Sequence, residues 1–183
     1  MLRKVFCIGF HKTGTKSLGA ALRSLGYRVT GPNGTREPDI AEHALTMAAA
    51  LSHQYDAFQD NPWPLFYREM DAMHPGSRFV LTVRPSNDWI RSAVGHFGRN
   101  ESPMRRLIYG PGAPLGNEEL YVARYERHNS EVADYFRHRP EDLLVMDLAH
   151  GDGWARLAPF LGVPVVQAPF PHRNPAGARM GKT

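Results

Sequence analysis

The order of apolar and polar residues along the chain predicts short buried strands separated by longer amphipathic helices. Runs of consecutive apolar residues, typical of strands buried on both faces of a sheet, predict strands over 5–10, 27–30, 56–59, 78–84 and 142–148. Helical periodicity predicts helices over 15–25, 40–53, 65–73, 87–97, 118–137 and 154–161. The segment 98–116, rich in Gly, Pro and Arg, is predicted to contain an irregular excursion. This alternation indicates an α/β fold, a parallel sheet with helices on both faces.

A parallel sheet gathers the carboxyl ends of its strands at one edge, and ligands of such folds bind there. The candidate ligand-binding loops are therefore those after Phe10, after Gln59 and after Val83.

Composition and charge narrow the function classes only slightly. With 183 residues, 42% of them hydrophobic, we expect a single domain over 1–183. The net charge of +4 suits an anionic ligand, but the basic residues are scattered, so we expect no nucleic acid partner. The single cysteine, Cys7, excludes a disulfide framework.

The apolar runs are too short for a signal peptide or a membrane span, so we expect a cytoplasmic protein without a membrane partner. The oligomeric state is left open.

The stretch "VFCIGFHKTGTKSLGAALRSLGY" has the organisation of a phosphate-binding loop: a strand, a glycine-bearing loop and a helix. Gly14 allows close approach of the backbone, and the amides of residues 14–17 with the hydroxyls of Thr15 and Ser17 are expected to donate to a phosphate. The nucleotide-hydrolase pattern G-x-x-x-x-G-K-[ST] is not met, because a lysine, Lys12, precedes the second glycine. The simpler interpretation is an ordinary strand-to-helix turn.

The stretch "VRPSNDWIRS" supplies a second candidate anion site. Arg84 stands at the end of a strong strand, and Ser92 follows eight residues later on the next helix. An arginine fork with a hydroxyl binds anions well. Alone the pair is weak evidence, since strand-end arginines often cap carbonyls or pair with a carboxylate. The evidence becomes stronger because the pair is expected to lie beside the first loop, where a second phosphate of the same ligand would be.

Together, "HKTGTKS" and "RPSNDWIRS" resemble the two cofactor motifs of sulfotransferases that use 3′-phosphoadenosine 5′-phosphosulfate (PAPS). The chain is most similar to a compact P-loop sulfotransferase-like branch, in segments that span nearly its whole length: "GFHKTGTKSL", "DNPWPLFYREM", "FVLTVRPSNDWIRS", "RYERHNSEVADYF", "LLVMDLAHGDGWARLAPFLGVP" and "PFPHRN". The resemblance implies a three-layer P-loop fold and transfer of a sulfuryl group from PAPS to a hydroxyl or amine. It also explains a lysine before the second glycine.

The resemblance implies a role for each matching residue. Lys12 is expected to act in catalysis by stabilising charge on the leaving group. The cofactor-binding residues it implies are His11, Lys12, Thr13, Gly14, Thr15, Lys16 and Ser17 for the 5′-phosphosulfate, with Arg84 and Ser92 for the 3′-phosphate. Lys16 replaces the usual second threonine. The glycine-rich tail that covers the 3′-phosphate in cytosolic relatives is not recognisable, and "PFPHRN" is the candidate substitute.

Asp60, in "QDNP", is the candidate general base, because the resemblance places an acid or histidine in this neighbourhood and sulfuryl transfer needs a proton acceptor. The competing interpretation is a helix N-cap. His11 is the second candidate base. His128 and Asn129 are expected either to line the acceptor pocket or to tie their helix to the sheet. No group of residues has metal-ligand spacing, so we expect no metal.

The acceptor, expected to be a small molecule, carries no readable motif; the segment 98–116, with Arg105, Arg106 and Tyr109, is the candidate acceptor lid. Two alternatives stay open. One is a P-loop kinase or nucleotide hydrolase, in which Asp147 at the end of "LLVMD" positions Mg²⁺. The other is a nucleotide-binding module without catalysis.

Overall fold

The computed structural model describes residues 3–172, and within them five strands form one parallel sheet. The strands are β1 (Val5–Cys7), β2 (Val29–Thr30), β3 (Ala57–Gln59), β4 (Arg78–Thr82) and β5 (Leu143–Met146). Their order is β2-β3-β1-β4-β5, so β1 is central, with Val5 opposite Ala57 on β3 and Arg78 on β4. The predicted α/β fold with a parallel sheet is confirmed.

Seven α-helices accompany the strands in the described part of the chain. They are α1 (Thr15–Ser24), α2 (Ile40–Gln54), α3 (Tyr67–Met73), α4 (Ser86–Phe97), α5 (Pro103–Tyr109), α6 (Glu118–Tyr135) and α7 (Trp154–Leu161), with 3₁₀ turns at Trp63–Leu65, Pro140–Asp142 and Leu148–His150. The first strand is shorter than predicted, because residues 8–10 already belong to the loop that follows it.

The helix α5 lies within segment 98–116, where the sequence pattern predicted an irregular excursion and no helix. It begins after Ser102, whose hydroxyl accepts a hydrogen bond from the Arg105 amide at 3.1 Å, and it ends at Gly110, which has a positive φ of 86°. Pro103 at the first helical position is a further signal for the start of a helix, next to the Ser102 cap. The high Gly and Pro content of the flanking residues obscured these signals.

Helices cover both faces of the sheet, which gives three layers. On one face Phe6 stacks on Phe58 and Phe79 at ring-centroid distances of 4.5 and 5.4 Å, under α2, α3 and α6. On the other face Cys7 and Val80 pack beneath α1 and α7. Burial raises the pKa of the Cys7 thiol, so this cysteine is an inert core residue.

A third apolar cluster lies beyond the end of β1 and joins α2, α4, α5 and α6. Its rings are stacked in pairs: Trp89 on Tyr125 at 4.3 Å, and Tyr109 on Tyr121 at 3.9 Å. Because Phe10 belongs to this cluster, the cluster holds the loop that leaves β1. No helix in the described residues is both long enough and apolar enough to cross a membrane.

Candidate active site

The loop between β1 and α1 has the backbone shape of an anion cradle. Lys12 and Gly14 both have positive φ, 68° and 98°, and a non-glycine residue in that region is uncommon and often functional. Gly14 precedes α1, whose N-terminus has no side-chain cap among the described residues. The first amides of a helix have no partner within the helix, so those of Thr15 and Lys16 are placed to donate to an anion. A side chain at Gly14 would also press on Leu148, since its Cβ would lie 2.8 Å from Leu148 Cδ1.

Thr13 and Gly9 fasten this loop to β4. The Thr13 hydroxyl donates to the carbonyl of Phe10 at 2.6 Å and lies 2.6 Å from the Thr82 hydroxyl. Gly9 passes so close to β4 that a Cβ on it would lie 2.1 Å from Thr82 Oγ1. The hydroxyl of Thr13 is therefore engaged inside the protein, and its side chain shapes the cradle.

Asp60, the candidate base, lies against the loop. Its Oδ2 accepts a hydrogen bond from the Thr15 hydroxyl at 2.9 Å, and its Oδ1 accepts one from the Asn61 amide at 2.8 Å. Burial raises the pKa of this carboxyl, while the two hydrogen bonds and the charges of Lys16 and Lys12 act against that rise. Asp60 has only 8% of its surface exposed. A partly desolvated carboxylate beside two lysines is suited to accept a proton.

The competing interpretation of Asp60 as a helix cap is wrong. Within residues 3–172, neither the 3₁₀ turn Trp63–Leu65 nor α3 receives a side-chain cap, and the residues that precede them are Pro62 and Phe66. Asp60 itself has a positive φ of 64°, so it turns the chain sharply at the end of β3.

Arg84 stands just beyond β4, next to the loop that leaves β1. Its Nε is buried and has no hydrogen-bond partner among the residues described. Burial of a guanidinium N–H without a hydrogen-bond acceptor destabilises the protein. A phosphate oxygen is a strong acceptor that would satisfy this N–H. Ser92, half-buried, lies on the second turn of α4. Arg84 thus fits a second phosphate beyond the loop, on a neighbouring strand end, and Ser92 stands on the helix that follows it.

The His11 side chain is surrounded by aromatic rings. Its ring is 4% exposed and lies 5.0 Å from the ring of Phe97, and its Nε2 is 3.3 Å from the Tyr109 hydroxyl. Burial, with the charges of Arg105 and Lys12, lowers the pKa of His11 to about 3. The imidazole is therefore neutral near pH 7. A buried ring of this kind is better placed to fix the loop than to take a proton from an acceptor.

His128 ties α6 to the sheet, as one of its two interpretations expected. Its Nε2 donates to the carbonyl of Ile8 at 2.7 Å, and its ring stacks on Phe10 at 4.3 Å. Burial lowers the pKa of His128 to about 4, so this histidine too is neutral near pH 7.

The three residues of the candidate acceptor lid differ in their burial and in their contacts. Arg105 is held inside its own segment: Nε donates to the Gly112 carbonyl at 2.9 Å, and the guanidinium lies 4.2 Å from the centre of the Phe97 ring. Arg106 pairs with Glu101 at the surface. Tyr109 is buried and meets His11, so it is the contact between α5 and the loop.

Arg124 of α6 is a candidate site residue that the sequence did not reveal. Its guanidinium lies 5.2 Å from the centre of the Phe10 ring, and its Nη1 is buried without a hydrogen-bond partner in the described part of the chain. Burial lowers its pKa, and the charges of Arg124 and Asp60 both act on the pKa of Tyr109. Tyr109 also contacts the Phe10 ring, at 5.6 Å, so Arg124 and Tyr109 both lie against the loop that leaves β1. Nothing in a helix pattern of mixed charge distinguishes this arginine from its neighbours.

Asp147 is the residue on which a kinase interpretation depends. Both of its carboxylate oxygens contact residues that follow it closely in the chain. Its Oδ1 accepts from the amides of Ala149 and His150 at 3.0 and 3.2 Å, and its Oδ2 lies 2.8 Å from His150 Nδ1. These contacts cap the 3₁₀ turn that follows β5. Among residues 3–172, no three His, Cys, Asp or Glu side chains are grouped as metal ligands.

The tail segment "PFPHRN" is described only in part. Phe170 packs on Trp154 at 5.0 Å, which holds the start of this segment against α7. Arg173 and Asn174 lie outside the described residues.

The fold is that of an α/β P-loop protein, with a candidate anion cradle between β1 and α1 and the candidate anion-binding residue Arg84 at the end of the adjacent strand β4. The sequence matches the family model of the sulfotransferase domain over residues 4–118 and 104–179, and the chain belongs to that family. A curated relative, Ava biosynthesis cluster protein M of Aspergillus versicolor, is 26% identical over 217 residues, which cover 92% of this chain and 80% of the relative.

Proposed function

We propose that the protein is a PAPS-dependent sulfotransferase that acts on a hydroxyl or amine of a small molecule. One observation carries the proposal. A lysine-bearing anion cradle at the end of β1 lies beside Arg84, whose buried Nε lacks a partner among residues 3–172, at the end of β4. Two anion sites on adjacent strand ends suit a nucleotide that carries phosphate at both its 5′ and its 3′ position. Membership of the sulfotransferase domain family supports the same reaction.

In this proposal the donor is held from two sides. The amides at the start of α1, with the hydroxyl of Ser17, bind its 5′-phosphate, and Arg84 with Ser92 binds its 3′-phosphate. The Thr15 hydroxyl donates instead to Asp60. The donor supplies a sulfuryl group on a phosphate leaving group. Lys12, in the strained part of the loop, stabilises the negative charge that develops on that leaving group.

Asp60 accepts the proton of the acceptor. The acceptor oxygen or nitrogen forms its bond to sulfur as the bond from sulfur to the phosphate oxygen breaks, and the proton passes to Asp60 Oδ. The base must be ionised to act. The hydrogen bonds from Thr15 and Asn61 favour the carboxylate against the effect of burial. Transfer of this kind depends mainly on positioning and charge stabilisation.

The acceptor is proposed to lie between Asp60, Tyr109 and Arg124. Arg124 and Tyr109 both contact the ring of Phe10 in the loop. Asp60 accepts a hydrogen bond from Thr15 at the start of α1. Arg124 also offers a buried donor without a partner in the part of the chain described. The relative's name assigns that protein to a biosynthesis cluster, which supports a small-molecule acceptor here.

The reaction is tested by following two labels. The protein is incubated with a small-molecule extract and either PAPS labelled at sulfur or ATP labelled at the γ-phosphate, the latter with Mg²⁺. We expect sulfur label in a small molecule, abolished by Lys12→Ala and retained by Arg91→Ala, an exposed arginine paired with Asp88. Transfer of phosphate label without sulfur label would refute the proposal.

A further inference from the structure

Tyr125 of α6 holds the backbone of Arg84 at both of its polar groups. The tyrosine hydroxyl donates to the Arg84 carbonyl at 2.8 Å and accepts from the Arg84 amide at 2.8 Å. The β4–β5 pairing ends one residue earlier, with the Val83 amide on the Met146 carbonyl at 2.8 Å. Tyr125 therefore takes the place of a sheet partner at the residue where the sheet stops.

The same tyrosine is connected to the phosphate-binding loop. Its ring stacks on Trp89 at 4.3 Å with an interplanar angle of 8°, and Trp89 Nε1 donates to the carbonyl of His11 at 2.8 Å. Trp89 and Tyr125 are 0% and 1% exposed. A closely packed pair of rings moves little, because protein interiors are packed as densely as organic crystals. The contacts form a continuous link from the backbone of Arg84 to the backbone of His11.

We infer that Tyr125 is a positioning residue that, through Trp89, fixes the separation between the 3′-phosphate site at Arg84 and the 5′-phosphate site in the loop. The inference rests on the proposed function. Its consequence is selectivity: the protein distinguishes a nucleotide with phosphate at 3′ from an isomer with phosphate at 2′. Charge alone does not make this distinction, since the isomers carry equal charge.

Calorimetric titration with three ligands tests the inference: adenosine 3′,5′-bisphosphate, adenosine 2′,5′-bisphosphate and AMP. The variant is Tyr125→Phe, which keeps the ring on Trp89 and removes only the hydroxyl. Tyr121→Phe is the matched control, because Tyr121 lies one turn earlier on α6 and its hydroxyl donates to the Pro111 carbonyl at 3.0 Å, in the segment that carries α5.

Tyr125→Phe removes both hydrogen bonds to the Arg84 backbone but leaves the guanidinium in the protein. We therefore expect it to weaken binding of the 3′,5′-bisphosphate about three- to tenfold, less than loss of the guanidinium itself. Binding of AMP stays within about twofold, as expected where no contact to the ligand is lost, and the preference for the 3′,5′ isomer falls. Tyr121→Phe leaves all three affinities unchanged. Unchanged AMP binding also shows that the variant is folded.

Two results would overturn the inference while leaving the proposed function intact: unchanged 3′,5′-bisphosphate binding in Tyr125→Phe, or an equal loss for all three ligands. The second would mean general loosening of the site. Absence of 3′,5′-bisphosphate binding by the wild-type protein would refute the proposed function itself, and the inference with it.

Discussion

Replacement of Asp60 by Asn separates its proposed role as a base from its role in the fold. The side chain is buried and accepts two hydrogen bonds, from the Thr15 hydroxyl and the Asn61 amide. Asparagine has nearly the same shape. Its carbonyl oxygen can accept from the Asn61 amide while its NH₂ donates to Thr15 Oγ1, since a hydroxyl both donates and accepts. Both hydrogen bonds are preserved, although Thr15 now accepts where it donated before. We therefore expect the fold to be retained.

The expected effect on activity is large because an amide is not a base at neutral pH. Positioned general bases contribute roughly a hundred- to ten-thousand-fold, and we expect kcat of Asp60→Asn to fall by about that factor. The wild-type rate is expected to decline on the acid side of its pH profile, where Asp60 is protonated. Because burial raises the pKa of Asp60 above its ordinary value of 3.8, that decline begins at a higher pH than for an exposed aspartate.

The effect on stability has the opposite sign and depends on pH. A carboxyl whose pKa is raised on folding stabilises the folded state fully below its unfolded pKa, and this contribution is lost as pH rises through the folded pKa. Asparagine does not ionise. We therefore expect Asp60→Asn to gain stability relative to the wild type as pH is raised from below 3.8 toward neutrality. Thermal melting across this range measures the difference.

The assay follows transfer of labelled sulfur to the small-molecule fraction, beside titration of adenosine 3′,5′-bisphosphate. Loss of turnover with retained nucleotide binding is the expected result. Turnover within about tenfold of the wild type, below the range of a positioned base, would show that Asp60 is not the proton acceptor. A melting difference that does not vary with pH would contradict the raised pKa.

Three further predictions concern the loop and the second anion site. Arg84→Ala is expected to weaken binding of adenosine 3′,5′-bisphosphate roughly ten- to hundredfold, as for loss of a hydrogen bond to a charged group, and AMP binding much less; calorimetry measures both. Gly9→Ala is expected to destabilise the protein by about 1–3 kcal/mol or more in denaturant titration, because its Cβ would lie 2.1 Å from Thr82 Oγ1. The control is Gly95→Ala in helix α4, where the added Cβ meets no atom within 4 Å in the described structure. We expect this control to stabilise the protein slightly. His11 is expected to remain neutral from about pH 5 upward, since burial lowers its pKa to about 3; imidazole NMR shifts that titrate near the ordinary value of 6.5 would contradict its buried position.

The central part of the fold was predictable from sequence because its signals are local. A continuous apolar run, a glycine-bearing loop and an amphipathic helix identified β1 and α1 together, and the strand ending near Arg84 was equally clear. The parallel sheet then followed from the alternation of elements. The helix α5 was missed although Ser102 and Gly110 mark its boundaries, because glycine and proline dominate the residues around it.

The contacts that complete the candidate site were not predictable, because they join residues far apart in the chain. The Thr15–Asp60 hydrogen bond spans 45 residues, and the bonds between Arg84 and Tyr125 span 41. The pattern of α6 shows which positions are apolar, but it does not show which loop they meet. For the same reason the contact of the Arg124 guanidinium with the Phe10 ring was not predictable from the pattern of α6.

The most direct test of the central claim is the binding of adenosine 3′,5′-bisphosphate in the presence of a metal chelator, compared with ATP and Mg²⁺, by thermal melting of the wild-type protein. Ligand at a hundred times its dissociation constant stabilises the folded state by about 2.7 kcal/mol, which a melting curve resolves. The account predicts this stabilisation with the bisphosphate alone, without metal. Stabilisation by ATP and Mg²⁺ and none by the bisphosphate would contradict it and identify a protein that uses nucleoside triphosphates.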